Sequence, residues 1–198
     1  MIEYELFTRM LSWDFLSPDQ RMMEEPKQAG IHTCTIVDKG VDSYKAYRYD
    51  LDNRDFMPFF NKEHDDDAKG IVVENPTPSG LLKFCDYILL AAVNEKLYVI
   101  LVEMKSGGNE GANQQLAASK TFIDYVKASA ERIKSLSGYG DFDANNIVLR
   151  KVLLKPAPKT RPTTNIGRRN NQIDWGADPI VVPSQLFPLL KVCECRQR

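Results

Sequence analysis

Residues 84–105 read Phe84-Cys85-Asp86-Tyr87-Ile88-Leu89-Leu90-Ala91-Ala92-Val93-Asn94-Glu95-Lys96-Leu97-Tyr98-Val99-Ile100-Leu101-Val102-Glu103-Met104-Lys105. Two apolar runs, Leu82 to Val93 and Leu97 to Lys105, are separated only by Asn94-Glu95-Lys96, which predicts a β-hairpin of two central strands. If Asn94-Glu95 is the two-residue loop, Val93 pairs with Lys96 and the register, carried back along both strands, sets Asp86 opposite Glu103. Side chains alternate faces along a strand, so Glu103 and Lys105 share a face. Opposed residues of an antiparallel pair also share a face, with Cβ atoms ~5 Å apart. Asp86, Glu103 and Lys105 therefore converge, provided the loop keeps this parity.

Two carboxylates amid apolar strands are costly, because bringing like charges together raises one pKa and burial disfavours both ionised forms. A hard cation is the natural compensation. Mg²⁺ or Mn²⁺ takes carboxylate and carbonyl oxygens, keeps several waters and can engage phosphate, with Lys105 placed to orient water or neutralise phosphate charge.

At the N-terminus, Ile2 to Leu16 carries Leu6, Met10, Leu11 and Phe15 at helical spacing and predicts a first amphipathic helix. Ser17-Pro18 reads as the start of a second short helix through Glu25. Ile31 to Asp38, Lys39-Gly40 and Ser43 to Leu51 read as strand, turn and strand. His64-Asp65-Asp66-Asp67 is a solvated acidic loop, Ile71 to Glu74 a short strand, and Asn75 to Gly80 a loop. After the Ser106-to-Gly111 loop, Leu116, Ile123, Val126, Ala130 and Ile133 predict a helix from Asn113 to about Leu136. Ile147 to Leu154 is a further β-rich run whose arrival after a long helix implies a crossover and parallel pairing. Pro156 to Gln172 reads as a basic loop, Pro179 to Pro183 as a short strand, and Ser184 to Leu190 as a capped short helix.

The 198 residues, 43% hydrophobic and 27% charged, suit one packed α/β domain with its core at about 71–155, an N-terminal elaboration over 1–70 and a basic C-terminal extension over 156–198. No apolar run is long enough to cross a bilayer and the N-terminus lacks signal-peptide character, so no membrane partner and a cytoplasmic location are expected. Cys34, Cys85, Cys193 and Cys195 lack paired zinc-ligand spacing and read as reduced thiols, Cys85 as a small buried hydrophobe and Cys193-Glu194-Cys195 as strand alternation. The net charge of −1 hides an uneven distribution. Eight acids lie between Asp50 and Glu74, whereas seven basic residues and no acid lie between Ala144 and Ile173. The stretch from Arg150 to Arg169 has the clustered positive charge that phosphate contact requires, with Lys155, Lys159, Arg161, Arg168 and Arg169 as its nucleic-acid-binding candidates. Trp175 and Phe187 are stacking candidates set against the commoner buried role.

Cys85-Asp86 followed after sixteen residues by Glu103-Met104-Lys105 resembles the Asp…Glu-x-Lys core of the PD-(D/E)XK nuclease superfamily. Gln114-Gln115-Leu116 resembles the glutamine-bearing helix of several of its branches. The likeness covers about Phe84 to Phe122. It implies a restriction-endonuclease-like mixed sheet flanked by helices and metal-dependent endonuclease hydrolysis of nucleic acid, DNA foremost, in a restriction, repair or anti-phage defence system. It further implies Asp86, Glu103 and the Met104 backbone carbonyl as Mg²⁺ or Mn²⁺ ligands, Lys105 assisting the water, and Gln115 orienting it or touching phosphate. Cys85 stands where the pattern often has Pro, and the upstream acid is open: Glu74 first, then Glu24 or Glu25. Two other readings remain, an inactive nucleic-acid-binding or assembly subunit of the same fold and an unrelated α/β interaction domain. A nuclease of this size needs restraint in its own cell, so a homo-oligomer or a larger partner protein is expected.

Overall fold

The computed structural model of the protein describes residues 1–12, 16–17, 21–24, 32–49, 84–105, 111–136, 138–155, 180–183 and 186–195. The chain is a mixed α/β structure. Strands β1 (Arg21–Glu24), β2 (His32–Val37) and β8 (Leu186–Pro188) form a three-stranded sheet in the order β1-β2-β8. Strands β3 (Ser43–Arg48), β4 (Tyr87–Val93), β5 (Lys96–Met104), β6 (Ile147–Lys155) and β7 (Ile180–Pro183) form a five-stranded sheet in sequence order. Its β3-β4 and β4-β5 pairs are antiparallel and its β5-β6 and β6-β7 pairs parallel. The helices are α1 (Ile2–Met10), α2 (Ala112–Ile133) and α3 (Leu189–Glu194).

The central hairpin has the expected register: Val93 pairs with Lys96 and Tyr87 with Val102. Asn94 and Glu95 both have positive φ, 49° and 60°, the requirement of a two-residue type I′ turn, whose twist matches that of the strands. Every residue of β4 is buried, as its unbroken apolar run demands of a strand covered on both faces. Glu95 holds this backbone without being glycine. Glu95→Gly should therefore stabilise the protein by about 1 kcal/mol, read as a higher urea midpoint at unchanged m-value.

Alternation splits the core in two. Leu90 and Ile88 of β4 and Leu97, Val99 and Leu101 of β5 pack with Leu6 and Phe7 of α1 and Leu116, Ile123 and Val126 of α2. On the other face, Leu89 and Ala91 with Ile100 and Val102 meet Cys34 and Ile36 of β2, Phe187 of β8 and Val192 of α3. The five-stranded sheet thus lies between a helical layer and a layer of the small sheet with α3. Because α2 covers the face between β5 and β6, the crossover is the parallel one its position in the chain implied.

Several expectations are corrected. The first helix ends at Met10, with Leu11 already extended. Leu16 then bridges to Tyr47, and the Ser17 N–H donates to the Ala46 carbonyl at 2.8 Å, so the chain covers the open edge of β3 where a longer helix would leave it bare. The segment through Glu24 is the strand β1, paired antiparallel with β2; ladder partners distant in sequence outweigh the local Ser-Pro helix signal. Strands β2 and β3 exist but do not form a hairpin, since β2 pairs with β1 and β8 while β3 pairs with β4. The turn between them passes the chain from one sheet to the other. Gly40 (φ 85°) sits there so close to Leu190 that an added Cβ would lie 2.8 Å from its Cδ2. Within the expected Ser184-to-Leu190 helix, Leu186–Pro188 is strand β8 and α3 begins only at Leu189, while Ser184 lies outside the described residues. Cys193 is helical and buried, not part of a strand alternation. The large sheet also draws β3 and β7 from outside residues 71–155. Residues 50–83, with the expected Ile71–Glu74 strand and the acidic loop, lie outside the described residues, as do the whole basic loop from Pro156 to Gln172 and Trp175. Among the described residues no helix is long and apolar enough to cross a membrane.

Candidate active site

The site lies where the hairpin ends away from its turn. Asp86 occupies a bend one residue before β4, and its carbonyl accepts from the Tyr49 N–H at 2.8 Å. Its carboxylate Oδ2 accepts a hydrogen bond from the Met104 backbone N–H, across the hairpin and one residue beyond Glu103, the position that the register carried on from Tyr87↔Val102 sets opposite Asp86. Glu103 is fully buried, 1% exposed, on the face covered by α2. Its Oε1 contacts Lys105 Nζ at 2.7 Å, and Lys105 is a quarter exposed. The Lys105 ammonium also donates to Gln115 Oε1 at 3.0 Å, while Gln115 Nε2 donates to the Phe84 carbonyl at 3.3 Å. The structure thus brings together Asp86, Glu103, Lys105 and Gln115, with the Met104 N–H bound to Asp86.

Electrostatically the centre is under tension. Burial first, and the Asp86 carboxylate second, push the Glu103 carboxyl up to about 8, against the contrary pull of Lys105 and, last, of the Asp86 backbone N–H. Glu103 Oε2 is buried with no hydrogen-bond partner. A buried carboxylate oxygen without a donor costs on the order of 1–3 kcal/mol, so this oxygen fits a cation or proton better than its present surroundings. Two neighbouring carboxylates are oxygen donors of the kind that Mg²⁺ and Mn²⁺ take. Among the described residues, however, no group of three or more His, Cys, Asp or Glu side chains is placed to hold a metal. No family model, curated protein or solved structure matches this chain.

Of the upstream acids, Glu74 and Glu25 lie outside the described residues, and Glu24 stands in β1 of the small sheet, paired with His32. Of the nucleic-acid-binding candidates, Lys155 ends β6 next to Lys105, whose N–H donates to the neighbouring Leu154 carbonyl at 3.0 Å. By strand alternation Lys151 and Lys155 share the sheet face of Glu103 and Lys105. Lys159, Arg161, Arg168 and Arg169 lie outside the described residues.

Arg150 does not join a phosphate-binding row. It is 7% exposed on the opposite sheet face, stacks over Tyr98 at 5.7 Å from the ring centroid, and donates through Nη2 to the carbonyls of Cys193 (3.4 Å) and Cys195 (3.2 Å). Phe187 is wholly buried and so is a core residue, not a stacking platform. Cys85 is buried, with its thiol donating to the Tyr87 carbonyl at 3.2 Å and pushed up to about 12 by burial; it is an inert, protonated neighbour of the site.

Sequence reading missed Ser119, which is 0% exposed. The signal was present: Ser119 falls on the apolar stripe of α2 between Leu116 and Ile123, where a polar side chain must find a buried partner.

Proposed function

We propose that the chain is a divalent-metal-dependent endonuclease with a restriction-endonuclease-like fold of the PD-(D/E)XK kind, hydrolysing phosphodiester bonds of nucleic acid, with DNA as its substrate, in a restriction or anti-phage defence system. The observation that carries this reading is the buried Glu103, with one carboxylate oxygen unpartnered, beside Asp86 and in contact with Lys105. A purely structural ion pair has no need of the second carboxylate. Asp86, Glu103 and the Met104 carbonyl are the groups that would hold Mg²⁺ or Mn²⁺, with Glu74, or else Glu24 or Glu25, as a further ligand.

When bound, the ion supplies Lewis acidity toward water and phosphate oxygens. The chain's own contributions are separable. Burial beneath α2 keeps Glu103 in low dielectric, where its charge acts strongly on the centre. The Met104 N–H holds one Asp86 oxygen and so orients the carboxylate. Lys105 reaches solvent through its exposed quarter and supplies positive charge where the phosphate develops negative charge. Lys155 and Lys151 extend that charge along β6.

The test is to incubate the protein and a Glu103→Ala/Lys105→Ala double variant with supercoiled plasmid in Mg²⁺, Mn²⁺ or EDTA. Cutting by the wild type is expected with either metal and not in EDTA, and the double variant should lose at least ~10²–10³-fold in rate. A second reading, an inactive nucleic-acid-binding or assembly subunit, is favoured by one observation: two carboxylates and no third meet among the described residues. Retardation of DNA without cutting in any metal would select it.

A further inference from the structure

One turn of α2 grips the segment that precedes Asp86. Ser119 Oγ accepts the Cys85 N–H at 2.8 Å and donates to the Gln115 carbonyl at 2.9 Å. One turn earlier, the Gln115 side chain accepts from Lys105 Nζ and donates to the Phe84 carbonyl. Two helix residues therefore hold both polar groups of the peptide bond that joins Phe84 to Cys85, together with the ammonium paired with Glu103. Back-bonding of a serine hydroxyl to the preceding turn is common within helices, and any buried N–H needs an acceptor. Those ordinary needs do not require that the same turn also reach Lys105.

The location gives the contact its consequence. Asp86 stands outside the β4-β5 ladder, which begins at Tyr87, so the ladder alone does not fix its backbone. Ser119 and Gln115 fix the residues immediately before it, and the Tyr49 N–H holds its own carbonyl. The Met104 N–H holds the Asp86 carboxylate from the β5 side, and the grip of α2 on Phe84 and Cys85 sets the direction from which the chain brings Asp86 to that contact. We propose that Ser119, acting with Gln115, is a positioning residue that fixes Asp86 and Lys105 about Glu103. Its functional meaning rests on the metal-dependent reading above; the positioning itself does not.

The experiment compares the full chain with Ser119→Ala, Ser119→Thr and Gln115→Met, reading Mn²⁺ affinity by calorimetry and, in EDTA, the acetylation rate of Lys105 by mass spectrometry with exposed Lys96 as internal reference. Ser119→Ala and Gln115→Met should each weaken Mn²⁺ binding by about tenfold or more, the usual effect of removing an outer-shell partner, and each should speed Lys105 acetylation. Ser119→Thr, which keeps the hydroxyl, should recover most of the affinity. Unchanged affinity and unchanged Lys105 reactivity in Ser119→Ala would overturn the proposal. If the wild type binds no Mn²⁺, the metal-dependent reading falls, and Lys105 acetylation decides the positioning role alone: faster in Ser119→Ala supports it, unchanged overturns it. Should Ser119→Ala fail to fold, Gln115→Met, at a half-buried position, decides on the same two readouts.

Discussion

Raising the pH of the metal-free protein from 5 to 9 should lower its unfolding free energy by about 3 kcal/mol, and Glu103→Gln should remove most of that loss. The folded carboxyl of Glu103 stands at about 8, against an ordinary value of 4.5. Below about 4.5 both states hold the proton and the full stability is present. As pH rises from there, the unfolded chain releases its proton while the folded one retains it, so stability falls until the folded group has also ionised, above about 8. At 1.36 kcal/mol per pKa unit the whole shift would be worth about 5 kcal/mol; because Glu103 and Asp86 titrate as a pair, the loss assigned to Glu103 alone is smaller. Urea midpoints at pH 5, 7 and 9 in EDTA would read it directly. Equal pH slopes for the wild type and Glu103→Gln would show that Glu103 is not the group under strain. Under the metal-dependent reading, Mn²⁺ at pH 8 should restore the lost stability to the wild type and do nothing for Glu103→Gln, because a ligand that binds only the folded state adds its binding free energy to stability.

What the amino-acid pattern revealed, and what it concealed, follows from the range of the forces involved. The hairpin register was legible because it depends on neighbours: two apolar runs, a two-residue loop and strict alternation leave one way to bury Leu89, Ile100 and their neighbours. From that register the convergence of Asp86 and Glu103 followed without any knowledge of the rest of the fold. Helix α2 was legible for the same reason, its apolar stripe being a local period. The N-terminal strands were not. Ser17-Pro18 carries a helix-start signal, yet Arg21–Glu24 is a strand because β2 lies beside it, and β2 in turn has its second neighbour in β8, about 150 residues further along the chain. Pairing over such separations leaves no trace in a short window. Gly40 shows the same limit: a turn was correctly placed there, but whether it folds β3 back onto β2 or sends it to another sheet is decided by Leu190 and the core beyond it.

The site divides similarly. Asp86, Glu103 and Lys105 were readable because charge is conspicuous among apolar residues. Ser119 was only half legible: its place on the apolar stripe calls for a buried partner, but nothing local says that the partner is Cys85. A tertiary hydrogen bond of this kind becomes visible only when both partners have been placed.

Arg150 is the converse case, a residue whose sequence context pointed to the wrong partner. Its position at the head of a run of seven basic residues suggested phosphate contact. Alternation along β6 instead turns it to the face away from Lys151 and Lys155, where it is nearly buried. There its guanidinium satisfies the Cys193 and Cys195 carbonyls at the end of α3 and covers Tyr98. Cations at a helix C-terminus are favourable, and hydrogen bonds from a charged donor are each worth ~1.5–3 kcal/mol. Arg150→Ala should therefore destabilise the protein by about 3 kcal/mol, through the two abandoned carbonyls and the gap beside Tyr98. Arg150→Met, which refills the space but offers no donor, should recover part of that loss. The salt dependence of any DNA binding should be unchanged in both variants, whereas Lys155→Ala should reduce its slope by about one counterion. A reduced slope in Arg150→Met, at wild-type stability, would return Arg150 to the nucleic-acid surface and contradict its role as the clasp of α3.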